Sequence, residues 1–232
     1  MDKLYVKKYW VGLMDGDGSM QVNHWKKKSL QYRLVIKLKY TEANEKMLNT
    51  IAKNIGGTVR KKADNTVWVE DHRGRIKEIL TIFNEFPPLT TRLRCQLAHI
   101  YECIEHGSVT TYLENRGSKY ERLGEGLNKK SRLTELKYWP EWLSGFTEAE
   151  GCFSTRAGGT RSYSISQKND KHLLEAIKEY FKANNVVRCM NKEKNVYILE
   201  IYSLAKLEVI KEHFIKYPLL GEKHESYLKF YK

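Results

Sequence analysis

Apolar positions along this chain follow two periods. From Leu4 to Asp15 they recur at helical spacing, which predicts a helix. From Gln31 to Lys39 they alternate: Leu34, Ile36 and Leu38 on one face, Arg33, Lys37 and Lys39 on the other, which predicts a half-buried strand. Met47–Asn54 is helical again and is stopped by Gly56-Gly57. "TVRK" (58–61) and Thr66–Glu70 give two short strands, and Arg75–Asn84 a helix that ends before Pro87-Pro88. Helix, two strands, helix, two strands, helix is the order of an α+β unit with helices on one face of an antiparallel sheet.

The pattern occurs twice. "WVGLMDGDG" (Trp10–Gly18) matches "LSGFTEAEG" (Leu143–Gly151): apolar, small, Gly, apolar, any, acid, small, acid, Gly. "NEFPPLTTR" (Asn84–Arg92) matches "IKYPLLGEK" (Ile215–Lys223), and Asn44–Lys61 matches Asp170–Cys189 as a helix running into a strand. Asp17 to Glu150 spans 133 positions and Pro87 to Pro218 spans 131, so the offsets agree. The chain reads as a tandem duplication, with repeats over 1–106 and 136–232 and a pseudo-two-fold relation between them. Gly107–Leu133 is rich in Gly, Ser and charge and poor in apolar residues, so 107–135 reads as a surface linker.

Charge narrows the partner. Lys and Arg exceed Asp and Glu by 13 over 232 residues, which points to a polyanion, nucleic acid first and an anionic membrane surface second. No run approaches the roughly 18 apolar residues of a membrane span, so no membrane partner is expected. The first ten residues show neither an apolar signal core nor the Arg- and Ser-rich pattern of a transit peptide. Cys95, Cys103, Cys152 and Cys189 have no metal-ligand spacing and read as buried, reduced thiols. There is no histidine-metal cluster and no phosphate-binding GxxxxGK[ST] loop.

The two motif helices carry the candidate chemistry. Gly12 and Gly16, like Gly145 and Ala149, stand four apart on one helical face, where small side chains let two helices approach closely. The acids Asp15, Asp17, Glu148 and Glu150 then fall at helix C-termini, where the helix dipole disfavours each by about 0.3–1 kcal/mol. A hard divalent cation between the two ends is the simplest compensation. Carboxylate-held metal in a basic protein suggests phosphodiester hydrolysis.

The doubled motif resembles that of the LAGLIDADG homing endonucleases in their single-chain, two-repeat form, and the resemblance spans nearly the whole chain. It implies two αββαββα units, with motif helices at the central interface and two saddle-shaped antiparallel sheets forming a DNA-binding groove. It implies metal binding at Asp17 and Glu150, with Gly16 and Ala149 beside them, and a Mg²⁺ cofactor that Mn²⁺ replaces and Ca²⁺ mimics without supporting cleavage. It places a basic pair, Arg92 and Lys223, near the active centre, and Gln167, with Lys39 as its counterpart, among the supporting residues. Trp10 and Thr147 depart from the family's apolar pattern, which alters packing rather than ligation.

Strand alternation nominates the DNA-facing residues. In the first repeat they are Ser19, Gln21, Asn23, Trp25, Gln31, Arg33, Lys37, Lys39, Arg60, Lys62, Trp68 and Glu70. In the second they are Ser154, Arg156, Arg161, Ser164, Ser166, Arg188 and Tyr197. Arg and Lys suit guanine, Gln and Asn adenine, Glu cytosine. A strand of about 30 Å follows roughly eight or nine base pairs, so two sheets imply a site of roughly twenty. The expected function is a monomeric, Mg²⁺-dependent, site-specific DNA endonuclease making a staggered double-strand break, encoded by family habit in an intron of an organelle, with the mitochondrion foremost. Two alternatives stay open on the sequence: an RNA maturase assisting the host intron, and a DNA-binding regulator without catalysis.

Overall fold

A computed structural model describes residues 2–121 and 133–232. The chain begins with α1 (Lys3–Gly16) and then forms β1 (Gly18–Trp25), β2 (Ser29–Lys39), α2 (Glu42–Ile55), β3 (Thr58–Lys62), β4 (Asn65–Glu70), α3 (Arg73–Leu80), α4 (Ile82–Glu85), α5 (Thr91–His106) and α6 (Val109–Asn115). A short 3₁₀ turn at Leu133–Glu135 leads into α7 (Trp139–Glu150), β5 (Gly151–Thr155), β6 (Arg161–Lys168), α8 (Lys171–Tyr180), β7 (Arg188–Asn191), β8 (Val196–Ile201), α9 (Leu204–Lys216) and α10 (Glu222–Phe230). Both sheets have four antiparallel strands, in the orders β1-β2-β4-β3 and β5-β6-β8-β7. The duplication read from sequence is therefore a duplication of topology.

The chain divides into two compact units, and the division falls between Gly16 and Asp17. The unit that begins at Asp17 is built on the first sheet. Met20, Tyr32, Leu34, Ile36 and Trp68 are buried on its helix-covered face. α2 starts five residues earlier than its apolar pattern suggests, because Thr41 caps it by accepting from the Asn44 amide at 3.1 Å. It ends where Gly56 and Gly57 take φ of 110° and 87°. The Trp68 indole donates to the Gly56 carbonyl at 2.9 Å and lies against Gly57, leaving no room for a β-carbon there. The helix expected over Arg75–Asn84 is present but is divided at Thr81 into α3 and α4.

The expected linker is not wholly extended. α6 lies within it, capped by Ser108, and Tyr112 anchors it by donating to the Val22 carbonyl of β1 at 2.8 Å. One buried aromatic suffices to seat a helix that is otherwise polar. Residues 122–132 of that expected linker lie outside the described residues.

The other unit joins α1 to α7 and the second sheet. Val6 and the whole run Tyr9–Asp15 are buried, so α1 is a core helix rather than a surface one. A β-carbon on Gly12 would overlap the Trp142 carbonyl, and one on Gly145 would overlap the Tyr9 carbonyl. The two helices thus touch backbone to backbone, as the glycine spacing predicts. Trp139, Trp142 and Phe146 stack in series along α7, with centroids 5.1 and 4.7 Å apart. Phe153, Tyr163, Phe181, Phe214 and Phe230 pack around the second sheet's helix-covered face. Cys95 and Cys103 are buried as expected, whereas Cys152 and Cys189 are exposed; all four are free thiols. No helix among the described residues is long and apolar enough to cross a membrane.

Candidate active site

The two acids of each motif have different surroundings. Asp15 is fully buried, and its Oδ2 accepts from the Trp142 indole at 2.7 Å. Glu148 is buried and accepts from four donors: the Tyr9 hydroxyl at 2.8 Å and the amides of Leu220, Gly221 and Lys223 at 3.2, 3.0 and 2.8 Å. Gly221 and Lys223 belong to the start of α10, so the carboxylate also sits at the positive end of a helix dipole. Burial, with the Glu148 charge beside it, pushes the Tyr9 hydroxyl far above its ordinary pKa and keeps it a donor. The expectation that a cation compensates all four acids is corrected here: protein donors already compensate the inner two.

The outer acids differ. Asp17 is exposed, one residue beyond α1, and Glu150 is half-buried at the last position of α7. The Glu150 Cγ lies 3.3 Å from where a β-carbon on Gly16 would stand, and the Ala149 methyl fills the rest of that space. The motif's small residues therefore bring the Glu150 stem against the main chain at Gly16. Among the described residues there is no cluster of three or more His, Cys, Asp or Glu that could hold a metal ion. A carboxylate with neighbouring carbonyl oxygens offers donors to a hard cation that draws its other ligands from phosphate and water, as Mg²⁺ does.

The basic pair occupies equivalent places: Arg92 is the second residue of α5 and Lys223 the second of α10. Arg92 Nη1 donates to the Gly18 carbonyl at 2.6 Å, one residue past Asp17. The Lys223 amide is held by Glu148, which fixes where its side chain starts. Gln167 is buried on β6, on the helix-covered face that Tyr163 and Ile165 share, and Lys39 is exposed at the end of β2.

Register tests the DNA-facing assignments, because cross-strand partners share a face. Ser19, Gln21, Asn23 and Trp25 pair with Val35, Arg33, Gln31 and Ser29, and Lys37 and Lys39 continue the same open face. Arg60 and Lys62 lie there too, paired with Val67 and Asn65. Trp68 and Glu70 do not: they pair with Ile36 and Leu34 and are buried. Glu70 accepts from the His72 amide at 2.8 Å and pairs with Arg75 at 3.1 Å. The open face of β4 carries Val67 and Val69 instead. Both alternating sets of β4 contain apolar residues, so its phase is ambiguous until the pairing with β2 is known.

In the second sheet Ser154, Ser164, Ser166 and Arg188 lie on the open face, and Arg156 reaches it from the turn after β5. Arg161 and Tyr197 do not. Arg161 shares parity with Tyr163 and donates to the Phe230 carbonyl at 2.9 Å; Tyr197 pairs with Gln167. Glu200, paired with Ser164, belongs to the open face and is absent from the residues that strand alternation nominates. Counting parity along β8 from buried Leu199 and Ile201 would have found it.

Known proteins bear on this arrangement. The model of the LAGLIDADG endonuclease family matches residues 10–103 and 143–232, one match per repeat. A "probable intron-encoded endonuclease aI3" of Dictyostelium citrinum is 43% identical over 237 residues, covering 99% of this chain and 96% of that protein. One of the same description from Debaryomyces hansenii is also 43% identical, over 267 residues and 100% of this chain, and the chain spans only 39% of its length. Among solved structures, I-SmaMI bound to an uncleaved DNA target in the presence of calcium ions has the same fold, with a TM-score of 0.73 at 18% identity, over 97% of this chain and 88% of that one.

Proposed function

Because this chain belongs to the LAGLIDADG endonuclease family, we propose that it is a site-specific DNA endonuclease that cuts both strands of a long target, with one outer acid serving each strand. The single observation that supports this is the difference in burial within both motifs: the inner acids are buried and bonded, while Asp17 is exposed and Glu150 half-buried. We take 1–106 and 136–232 as the two DNA-binding halves. The named relatives are intron-encoded, which supports an origin in an intron and an organelle, the mitochondrion foremost, as the compartment of action.

Asp17 and Glu150 would hold Mg²⁺, with the main chain at Gly16 and Ala149 beside them. When bound, the ion polarises the scissile phosphate, acidifies the attacking water and neutralises the leaving oxygen. The chain's own part is placement and charge. Asp17 and Glu150 orient the phosphate and water relative to each other. Arg92, tied to the Gly18 carbonyl, and Lys223, rooted at the start of α10, add positive charge where negative charge develops on phosphorus-bound oxygens. Water oxygen bonds to phosphorus, the opposite P–O bond breaks, and the released proton balances the departing oxygen. The excess of 13 positive charges draws in the duplex and makes binding steeply salt-dependent.

Selection of cleaved molecules from a randomised duplex library with Mg²⁺ tests the proposal. Wild type is expected to return one site of roughly twenty base pairs, on the groove-length argument. Asp17→Asn should leave at least one strand of that site intact while still binding it. Double-strand cutting by Asp17→Asn at the wild-type rate would overturn the assignment.

A further inference from the structure

The open face of the second sheet carries a charged triad that the motif helices do not require. Glu200 Oε1 accepts from Arg156 Nη2 at 2.7 Å, and its Oε2 accepts from Arg188 Nη2 at 3.0 Å. The Glu200 side chain is 17% exposed, whereas those of Arg156 and Arg188 are 64% and 63% exposed. One sunken carboxylate thus orients two guanidinium groups that project from the face. The three residues come from separate places, the turn after β5, the start of β7, and β8, so the arrangement is tertiary and not a local accident. The turn itself is closed by the Arg156 amide donating to Thr160 and the Gly159 amide donating back to Arg156. Around the triad the face carries few charges, with Ser154 and Ser162 in contact at 3.2 Å, Ser164 and Ser166 beside them and Lys168 at the end of β6.

The first sheet offers a contrast. There Arg33 and Arg60 lie 3.9 and 3.8 Å from Asp71, which is beyond hydrogen-bonding distance and leaves all three side chains about half exposed. Its open face adds Lys37, Lys39 and Lys62. Loosely held cations suit phosphates, whose positions tolerate small displacements. Guanidinium groups each hydrogen-bonded to a carboxylate suit base edges better, because a bidentate pair needs a preferred plane and part of the ordering cost is met before DNA arrives. Glu200 also cancels one of the two charges, which lowers attraction to any phosphate and raises the relative weight of base contacts.

We propose that Arg156 and Arg188, positioned by Glu200, read two guanines in the major groove of the half-site under the second sheet. Both guanidinium groups bond one carboxylate, so the two guanines fall within two base-pair steps of each other at about 3.4 Å per step. Glu200 is a positioning residue. The inference rests on the DNA-cutting reading given above and adds the base identity and the residues that set it.

The test selects bound DNA from a randomised duplex library with Ca²⁺ in place of Mg²⁺, using the full chain as wild type, Arg156→Lys, Arg188→Lys and Glu200→Gln, and then measures cutting with Mg²⁺. Wild type is expected to enrich two guanines within three consecutive base pairs of one half-site. Each Arg→Lys change should lower one of these preferences by about five- to a hundredfold. Glu200→Gln should weaken both while the other half-site keeps its profile, which also shows that the variant folds. No guanine in that half-site, or an unchanged profile in Glu200→Gln, overturns the inference. If wild type still cuts its site in that case, the nuclease reading stands without the triad. If wild type neither selects nor cuts any duplex, both fall.

Discussion

Each motif helix ends in two acids, and the inner and outer members of each pair do different work. Asp15 and Glu148 are buried and bonded to groups of the opposite repeat or of α10. Asp17 and Glu150 lie two residues further on, exposed and half-buried. Two residues along an α-helix turn the side chain by roughly 200°, so Glu148 and Glu150 face different ways, and Asp17 stands just past the end of α1 while Asp15 is packed within it. The comparison teaches that the apparent electrostatic misfit of four acids at helix C-termini is really two problems. Protein donors solve the inner one. The outer pair is left for the proposed cation and phosphate.

Substitution at each level separates the two roles. The largest effect is expected for Asp17→Asn and Glu150→Gln: strand cleavage falling by at least about 10²–10³-fold, with the unfolding free energy changed by no more than the roughly 0.5 kcal/mol typical of surface changes. Strand-specific nicking gels and denaturation curves measure the two sides. Loss of stability matching that of the inner acids would erase the distinction.

Glu148→Ala should instead unfold more readily, by about 3–5 kcal/mol, because it strands the Tyr9 hydroxyl and three amides without their carboxylate. Gly145→Ala belongs with it, since the added methyl overlaps the Tyr9 carbonyl and the helices must separate. Asp15→Asn should cost less, about 1–2 kcal/mol, because the amide oxygen can still accept from the Trp142 indole. Urea denaturation ranks all three.

The last effect is gradual, a pH slope that is small over any one pH unit. His213, buried behind α7 between Ser144 and Tyr180, has its pKa lowered by burial from 6.5 to about 3. Between those values the unfolded chain binds a proton that the folded chain does not, so stability falls as pH drops below about 6.5 and the loss ends near 3. The slope in that window is about 1.4 kcal/mol per pH unit. His213→Gln should flatten it in urea titrations at stepped pH, and the cleavage defects of the outer acids should not follow it.

Much of this was legible in the sequence because it was written twice. The repeated acids, the shared glycine spacing and the clean alternation of Gln31–Lys39 fixed the motif helices, β2 and the duplicated topology. The residues whose faces differ from expectation are those that only tertiary pairing decides. Trp68 and Glu70 were phased to the open face because Val67 and Val69 are as strand-like as they are; their partners Ile36 and Leu34 settle the matter. Arg161 and Ser164 cannot share a strand face at odd spacing, and the arginine turns toward the Phe230 carbonyl. α6 was hidden in polar composition, with only Tyr112 to betray a buried side. That the inner acids are satisfied by Tyr9, Trp142 and the start of α10 needed partners up to 139 positions away in sequence.

The central claim is that Asp17 and Glu150 hold the catalytic cation. Anomalous diffraction from crystals of the chain with its selected DNA, grown in Mn²⁺, tests it most directly. The account predicts strong peaks within about 2–2.5 Å of carboxylate oxygens of Asp17 and Glu150 and of the scissile phosphates. Peaks on the DNA that touch neither carboxylate would contradict it.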